Sequence, residues 1–127
     1  MNIPNLVTKE FLKSNPNCVF VFGDNLERKG RGGAAILRYE PNTYGFITKK
    51  RPTHVDTDYY KPEEYRMVFN KEMTKLRSVI KSNSDKTYLI SKLGAGLANR
   101  YNIYEKVIEP ELRRLRMENR KNVVFLY

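Results

Sequence analysis

Cys18-Val19-Phe20-Val21-Phe22 (CVFVF) is an unbroken apolar run of β-branched and aromatic residues, and it leads straight into Gly23-Asp24-Asn25 and a glycine cluster. An alternating run would mark a strand with one wet face. An unbroken run marks a strand covered on both faces, as in parallel sheets. Three more runs of this kind follow, at Tyr44–Ile47, Thr87–Ile90 and Val123–Leu126.

Helical patterns separate them. Tyr65, Phe69, Met73, Leu76 and Ile80 recur at steps of three and four, which predicts an amphipathic helix starting near Pro62, a residue well tolerated in a first turn. Tyr104, Val107, Ile108, Leu112 and Leu115 predict a second helix, kinked or restarted at Pro110, which has no N–H to donate. A short helix is expected from Gly33 or Ala34 to about Tyr39, and another over residues 5–13. Strict helix–strand alternation implies one α/β domain over residues 1–127, layered around a mostly parallel sheet.

Composition narrows the function classes. Of 127 residues, 40% are hydrophobic and 12% aromatic, enough for a real core and too many for a disordered chain. The lone Cys18 excludes an internal disulfide and a cysteine-based zinc site. No apolar run is long enough to cross a bilayer, and the start shows no basic stretch followed by an apolar one. These readings lead to the expectation of a cytoplasmic protein with no membrane partner. The 24 Lys and Arg against 14 Asp and Glu give a net charge of +10, which points to a phosphate-bearing partner.

Ligands of open parallel sheets bind beyond the carboxyl ends of the strands. Three segments leave strands at that edge: residues 23–35 (GDNLERKGRGGAA), residues 48–52 (TKKRP) and residues 92–100 (KLGAGLANR). Gly30, Gly32 and Gly33 before a helix let backbone N–H groups approach an anion closely, and Gly94-Ala95-Gly96 repeats the device. Two such turns on one edge suit a diphosphate held from both sides; the residues nominated are Gly23, Asn25, Gly30, Arg31, Gly32, Gly33, Ala34, Thr48, Leu93, Gly94, Ala95, Gly96, Leu97 and Asn99. The spacing is not that of a P-loop. The loose G-x-G-x-x-A of Gly30, Gly32 and Ala35 also fails as a dinucleotide fingerprint, since Thr48-Lys49 stands where an acidic ribose ligand is wanted.

Lys49 and Lys50 open a long polar loop to Lys61 that suits a lid or a substrate-facing loop. Either they are solvated basic residues or one points into the ligand edge, where burial and cationic neighbours lower its pKa and free an amine. Asp24 suits a turn former or an acid–base group. His54, the single histidine, reads as a surface residue, and with Asp56 and Asp58 nearby it still lacks the ligands for a metal site. No metal and no cofactor is expected.

FITKKR at residues 46–51, the helix from Tyr65 and ISKLGAGL at residues 90–97 resemble macrodomains, more narrowly the terminal ADP-ribose glycohydrolase and DarG-like branch, over about residues 19–127. The resemblance implies a three-layer sandwich whose loops clasp ADP-ribose. It further implies that Lys49, after Ile-Thr, attacks the anomeric carbon of the distal ribose, releasing ADP-ribose from a protein or nucleic acid. The branch's second catalytic residue, an aspartate after Gly-Leu, is replaced by Ala98. Asp24 is then the substitute acid or base. The alternative is a binder that sequesters an ADP-ribose-type signalling nucleotide, as in phage and bacterial conflict systems. A third class is nucleic-acid binding through Lys29, Arg31, Lys49, Lys50, Arg51 and Arg100, and through Arg113, Arg114, Arg116, Arg120 and Lys121. There Tyr59, Tyr60 and Tyr101 would stack on bases.

Overall fold

A computed structural model of the chain describes residues 3–127; Met1 and Asn2, which begin the amino-terminal stretch read above, lie outside the described residues. Four strands, β1 (Cys18–Asn25), β2 (Thr43–Lys49), β3 (Thr87–Ile90) and β4 (Val123–Phe125), form one sheet in the order β2-β1-β3-β4, every neighbouring pair parallel. The helices are α1 (Lys9–Ser14), α2 (Pro62–Ser82) and α3 (Glu109–Met117).

The CVFVF run is covered on both faces, as its pattern requires. Val19 and Val21 pack with Tyr65, Phe69, Leu76, Ile108 and Leu112 on the α2–α3 side. Cys18, Phe20 and Phe22 pack with Val7 and Leu12 on the α1 side. Tyr88 and Ile90 divide from Leu89 in the same way. Helices on both faces of a parallel sheet make this a three-layer α/β fold.

β1 continues past Phe22 through Gly23-Asp24-Asn25, poor strand formers held extended by pairing Gly23 with Phe46 and Asp24 with Ile47. The segment after the glycines is a five-residue 3-10 helix, Gly33–Leu37, not an α-helix. Around Pro110 the chain widens into a π-helical stretch, Tyr104–Ile108, before α3. The carbonyl of Lys106, deprived of the proline N–H, receives Arg66 Nη2 at 3.5 Å.

β2 is an edge strand, and α2 covers that edge. Ile47 N–H donates to buried Glu72 Oε1 (2.8 Å), and Tyr65 O–H donates to Ile47 O (2.5 Å). At Ile47 both outward backbone groups are thereby occupied, which blunts that edge.

The connection leaving β1 runs on the α1 face, with Ala35 and Leu37 against that core, whereas the one leaving β3 runs on the α2 face with Ile103 and Tyr104. Neighbouring strands whose exits diverge leave a crevice at their carboxyl ends, the switch point where ligands of such sheets bind. Among the described residues, no helix is long and apolar enough to cross a membrane.

Candidate functional site

A cleft of about 420 Å³ occupies that switch point. The three segments singled out in the sequence meet there: Gly23, Asp24 and Asn25 with Lys29–Ala35, then Thr48, Lys49, Pro52 and His54, then Ser91–Gly94 with Gly96, Leu97 and Ala98. The floor is tight. A Cβ on Gly23 would stand 3.1 Å from Thr48 Oγ1, and Gly94 holds φ +76° with a Cβ position that overlaps Ile108 Cδ1.

Lys49, the last residue of β2, is only 9% exposed. Its ammonium donates to Thr53 O at 2.8 Å and lies 4.6 Å from the centre of the Tyr59 ring. Burial lowers its pKa from the ordinary lysine value and the Arg100 charge adds to this, while Asp58 opposes it. The amine is therefore held at the cleft, where its burial makes the proton easier to lose than that of an exposed lysine.

The loop after Lys49 is anchored at several points. Tyr59 bridges back to Lys49, Lys50 N–H donates to Asp58 O (2.8 Å), and the fully buried Asp58 carboxylate accepts Arg51 Nε (2.7 Å) and the Thr53 hydroxyl. It faces the cleft through Pro52 and His54, whose Nδ1 lies 3.1 Å from Tyr59 Oη.

Asp24 lines the cleft with its carboxylate fully engaged. Oδ1 accepts Arg38 Nη2 (2.6 Å) and its neighbour's N–H (2.8 Å), and Oδ2 accepts Arg38 Nε (3.1 Å) and Arg28 Nη1 (3.3 Å). Those contacts fix the carboxylate at the cleft wall. The Asn25 side chain is likewise engaged, donating to Lys29 O (2.8 Å) and accepting Glu27 N–H (3.0 Å).

Two nominated residues lie off the cleft. Ala95 packs against the core, and Asn99 caps the π-helical stretch, accepting Tyr104 N–H at 2.9 Å and donating to Glu105. Ala98, at the place of the branch's aspartate, is buried within the apolar core. The 3-10 helix after Gly33 is too short for a useful dipole, so an anion would be met by loop amides. Among the described residues, the backbone N–H groups of residues 29–32, and those of Gly94, Gly96 and Leu97, have no backbone acceptor. Ser91, Lys92, Pro52 and His54 also line the cleft although the sequence did not nominate them. Their adjacency to the nominated segments was the available signal.

Charge around the cleft is sorted. Lys50 pairs with Glu64 (3.0 Å), Arg51 with Asp58 (2.7 Å) and Arg100 with Asp56 (2.5 Å). Among the described residues, no carboxylate lies within ion-pair distance of Lys29, Arg31 or Lys92. Arg113, Arg114 and Arg120 pair with Glu109, Glu111 and Glu118. Tyr59 and Tyr60 are buried; Arg100 and Lys49 cover Tyr59, and Tyr65 and Lys50 cover Tyr60, so neither offers a face to a base. No group of three His, Cys, Asp or Glu among the described residues is placed to hold a metal ion.

A protein-family model described as "Family of unknown function (DUF7831)" matches residues 3–102. No curated protein and no solved structure matches the chain.

Proposed function

The chain belongs to that family of unknown function, DUF7831, and from its own cleft we propose that it binds ADP-ribose or a related ADP-ribose-derived nucleotide. The diphosphate lies against the two glycine loops, with Lys49 at the distal sugar. The observation that carries this reading is the meeting of both glycine loops with a buried lysine in one cleft of about 420 Å³. That volume is in the range of small-molecule sites, roughly 300–1,000 Å³. Open loop amides and the charges of Lys29, Arg31 and Lys92, none of them in an ion pair among the described residues, support phosphate as the recognised group. Leu97, Ala34 and Pro52 offer apolar surface for a base. The adenosine and ribose parts of the proposal come from the resemblance to macrodomains. The compartment proposed is the cytoplasm.

A second reading adds chemistry at the same site, favoured by the lowered pKa of Lys49. The neutral amine attacks C1 of the distal ribose. The bond from C1 to the modified group breaks, and the leaving atom keeps the electron pair and takes a proton, supplied by the cleft-lining His54. Water then releases the sugar from the amine. Ala98 in place of a carboxylate favours binding without turnover. Nucleic-acid binding is least supported, because Lys50, Arg51 and Arg100 are neutralised by Glu64, Asp58 and Asp56.

Titration calorimetry with ADP-ribose, followed by chromatography of the recovered ligand, tests the proposal. Saturable binding with intact ligand, lost in Lys49→Ala, is the expected result. Absence of binding to ADP-ribose and to its linked forms would end it. ADP-ribose freed from a modified peptide would establish the second reading over the first.

A further inference from the structure

The glycine loop is held over the cleft by a side chain that does not line it. Arg38 follows the 3-10 helix, and its side chain is only 9% exposed. Beyond its two bonds to Asp24, its Nη1 donates to Gly30 O (2.8 Å) and its Nη2 to Lys29 O (3.1 Å). The planar guanidinium thus ties a buried carboxylate to two successive loop carbonyls, a geometry a lysine cannot reproduce.

Peptide planarity then decides where the loop N–H groups go. No peptide among the described residues is cis, and in a trans peptide the C=O and N–H point in opposite directions. With Lys29 O and Gly30 O both turned to Arg38, the N–H groups of Gly30 and Arg31 face away from it. Gly30 at φ +93° permits this arrangement. Neither N–H has a backbone acceptor among the described residues. The loop also touches its two neighbours. A Cβ on Gly30 would be 3.0 Å from Pro52 Cβ, and one on Gly32 would be 3.7 Å from Leu97 Cδ1.

We propose that Arg38, held by Asp24, is a positioning residue that turns the Gly30 and Arg31 amides towards a phosphate of the bound ligand, without itself touching that ligand. The inference rests on the reading of the cleft as a phosphate site and adds which peptides recognise the phosphate and what aims them. Paired N–H groups aimed in advance bind an anion without paying for reorientation at the moment of binding.

The test is amide chemical-shift mapping on the 15N-labelled chain, with inorganic pyrophosphate and ADP-ribose as separate probes. In the wild type both should move the Gly30 and Arg31 amide signals. In Arg38→Lys, which keeps the charge, affinity for both probes should fall about tenfold or more. The Gly30 and Arg31 shifts should vanish while those of Gly94 to Leu97 persist. A generally loosened fold would not separate the two loops in this way. Should Arg38→Lys fail to fold, Gly30→Ala leaves Arg38 intact, strains the peptide at φ +93° and presses the loop against Pro52, and should give the same selective loss. If Arg38→Lys and Gly30→Ala bind both probes as the wild type does, the positioning device is refuted while the nucleotide reading stands. If pyrophosphate moves these amides in an Arg38-dependent way but ADP-ribose does not bind, the nucleotide reading falls and the device survives. Binding of neither probe overturns both.

Discussion

Replacement of Gly94 by alanine tests the floor of the cleft independently of any ligand. Gly94 has φ +76°, where an L-residue costs roughly 1–2 kcal/mol more than glycine. The added methyl would overlap Ile108 Cδ1, fully buried in the core, and would approach Thr48 Cγ2 to 3.6 Å. Forcing one carbon into such packing typically costs about 1–3 kcal/mol, while the reduced freedom of the unfolded chain returns about 0.5 kcal/mol. A net loss of about 2–4 kcal/mol is expected. At about 4 °C per kcal/mol for a domain of this size, Tm should drop by roughly 8–16 °C.

The assay is thermal unfolding by circular dichroism with urea denaturation alongside, and Gly96→Ala is the internal control. Gly96 has no atom within 4 Å of its Cβ position and no left-handed φ. That variant should stay within about 0.5 kcal/mol of the wild type, while reducing ligand affinity if the second loop's backbone contacts phosphate. A Gly94→Ala protein as stable as the wild type would refute the claim that strand ends packed at van der Waals distance set the position of the second glycine loop.

Three further outcomes follow from other contacts. Glu72→Leu removes the acceptor for the Ile47 N–H and should cost about 1–3 kcal/mol in urea unfolding, whereas Glu72→Gln, which keeps an oxygen there, should cost much less; Tyr65→Phe should cost about 1 kcal/mol. Lys49→Met should abolish ligand binding and stabilise the fold near neutral pH. Because the folded pKa of Lys49 is lowered, the unfolded chain binds more protons between the folded value and the ordinary lysine value of about 10.4, so wild-type stability should gain on Lys49→Met as pH rises towards that limit. A gap that widens with pH would contradict the burial assigned to the amine. Asp58→Asn weakens the anchor for Arg51 and Thr53, and hydrogen exchange across residues 51–57 should accelerate; unchanged protection would mean that the loop is held elsewhere.

The four strands, the long helix and the meeting of three loops were legible because each rests on local pattern and on one topological rule. CVFVF had to be a strand covered twice, and parallel strands had to send their exits to one edge. The reading stopped β1 at Phe22 because Gly23-Asp24-Asn25 have poor strand propensity; their register against Phe46 and Ile47 is tertiary information. Arg38 was invisible for the same reason. Nothing in its neighbours signals that it meets Asp24 fourteen positions earlier, and only the question of which cation balances a buried carboxylate would have found it. Asn99, chosen for its place beside Ala98, is used by the helix that follows.

The net charge of +10 is a property of the sequence that the fold redistributes. Lys49, Lys50 and Arg51 are consecutive and read as one basic run, yet they separate at the end of β2. Lys49 is buried at the cleft against Thr53 O, Lys50 meets Glu64, and Arg51 meets Asp58. Arg100 is cancelled by Asp56 across 44 positions of sequence. A polyanion needs a continuous row of uncompensated cations, and this pairing interrupts the row beside the cleft. A small phosphorylated ligand needs a few charges and open amides gathered within one cavity. Lys29, Arg31 and Lys92 provide the charges and the two glycine loops provide the amides. Where the carboxylates fall, more than how many cations the chain carries, favours the compact ligand.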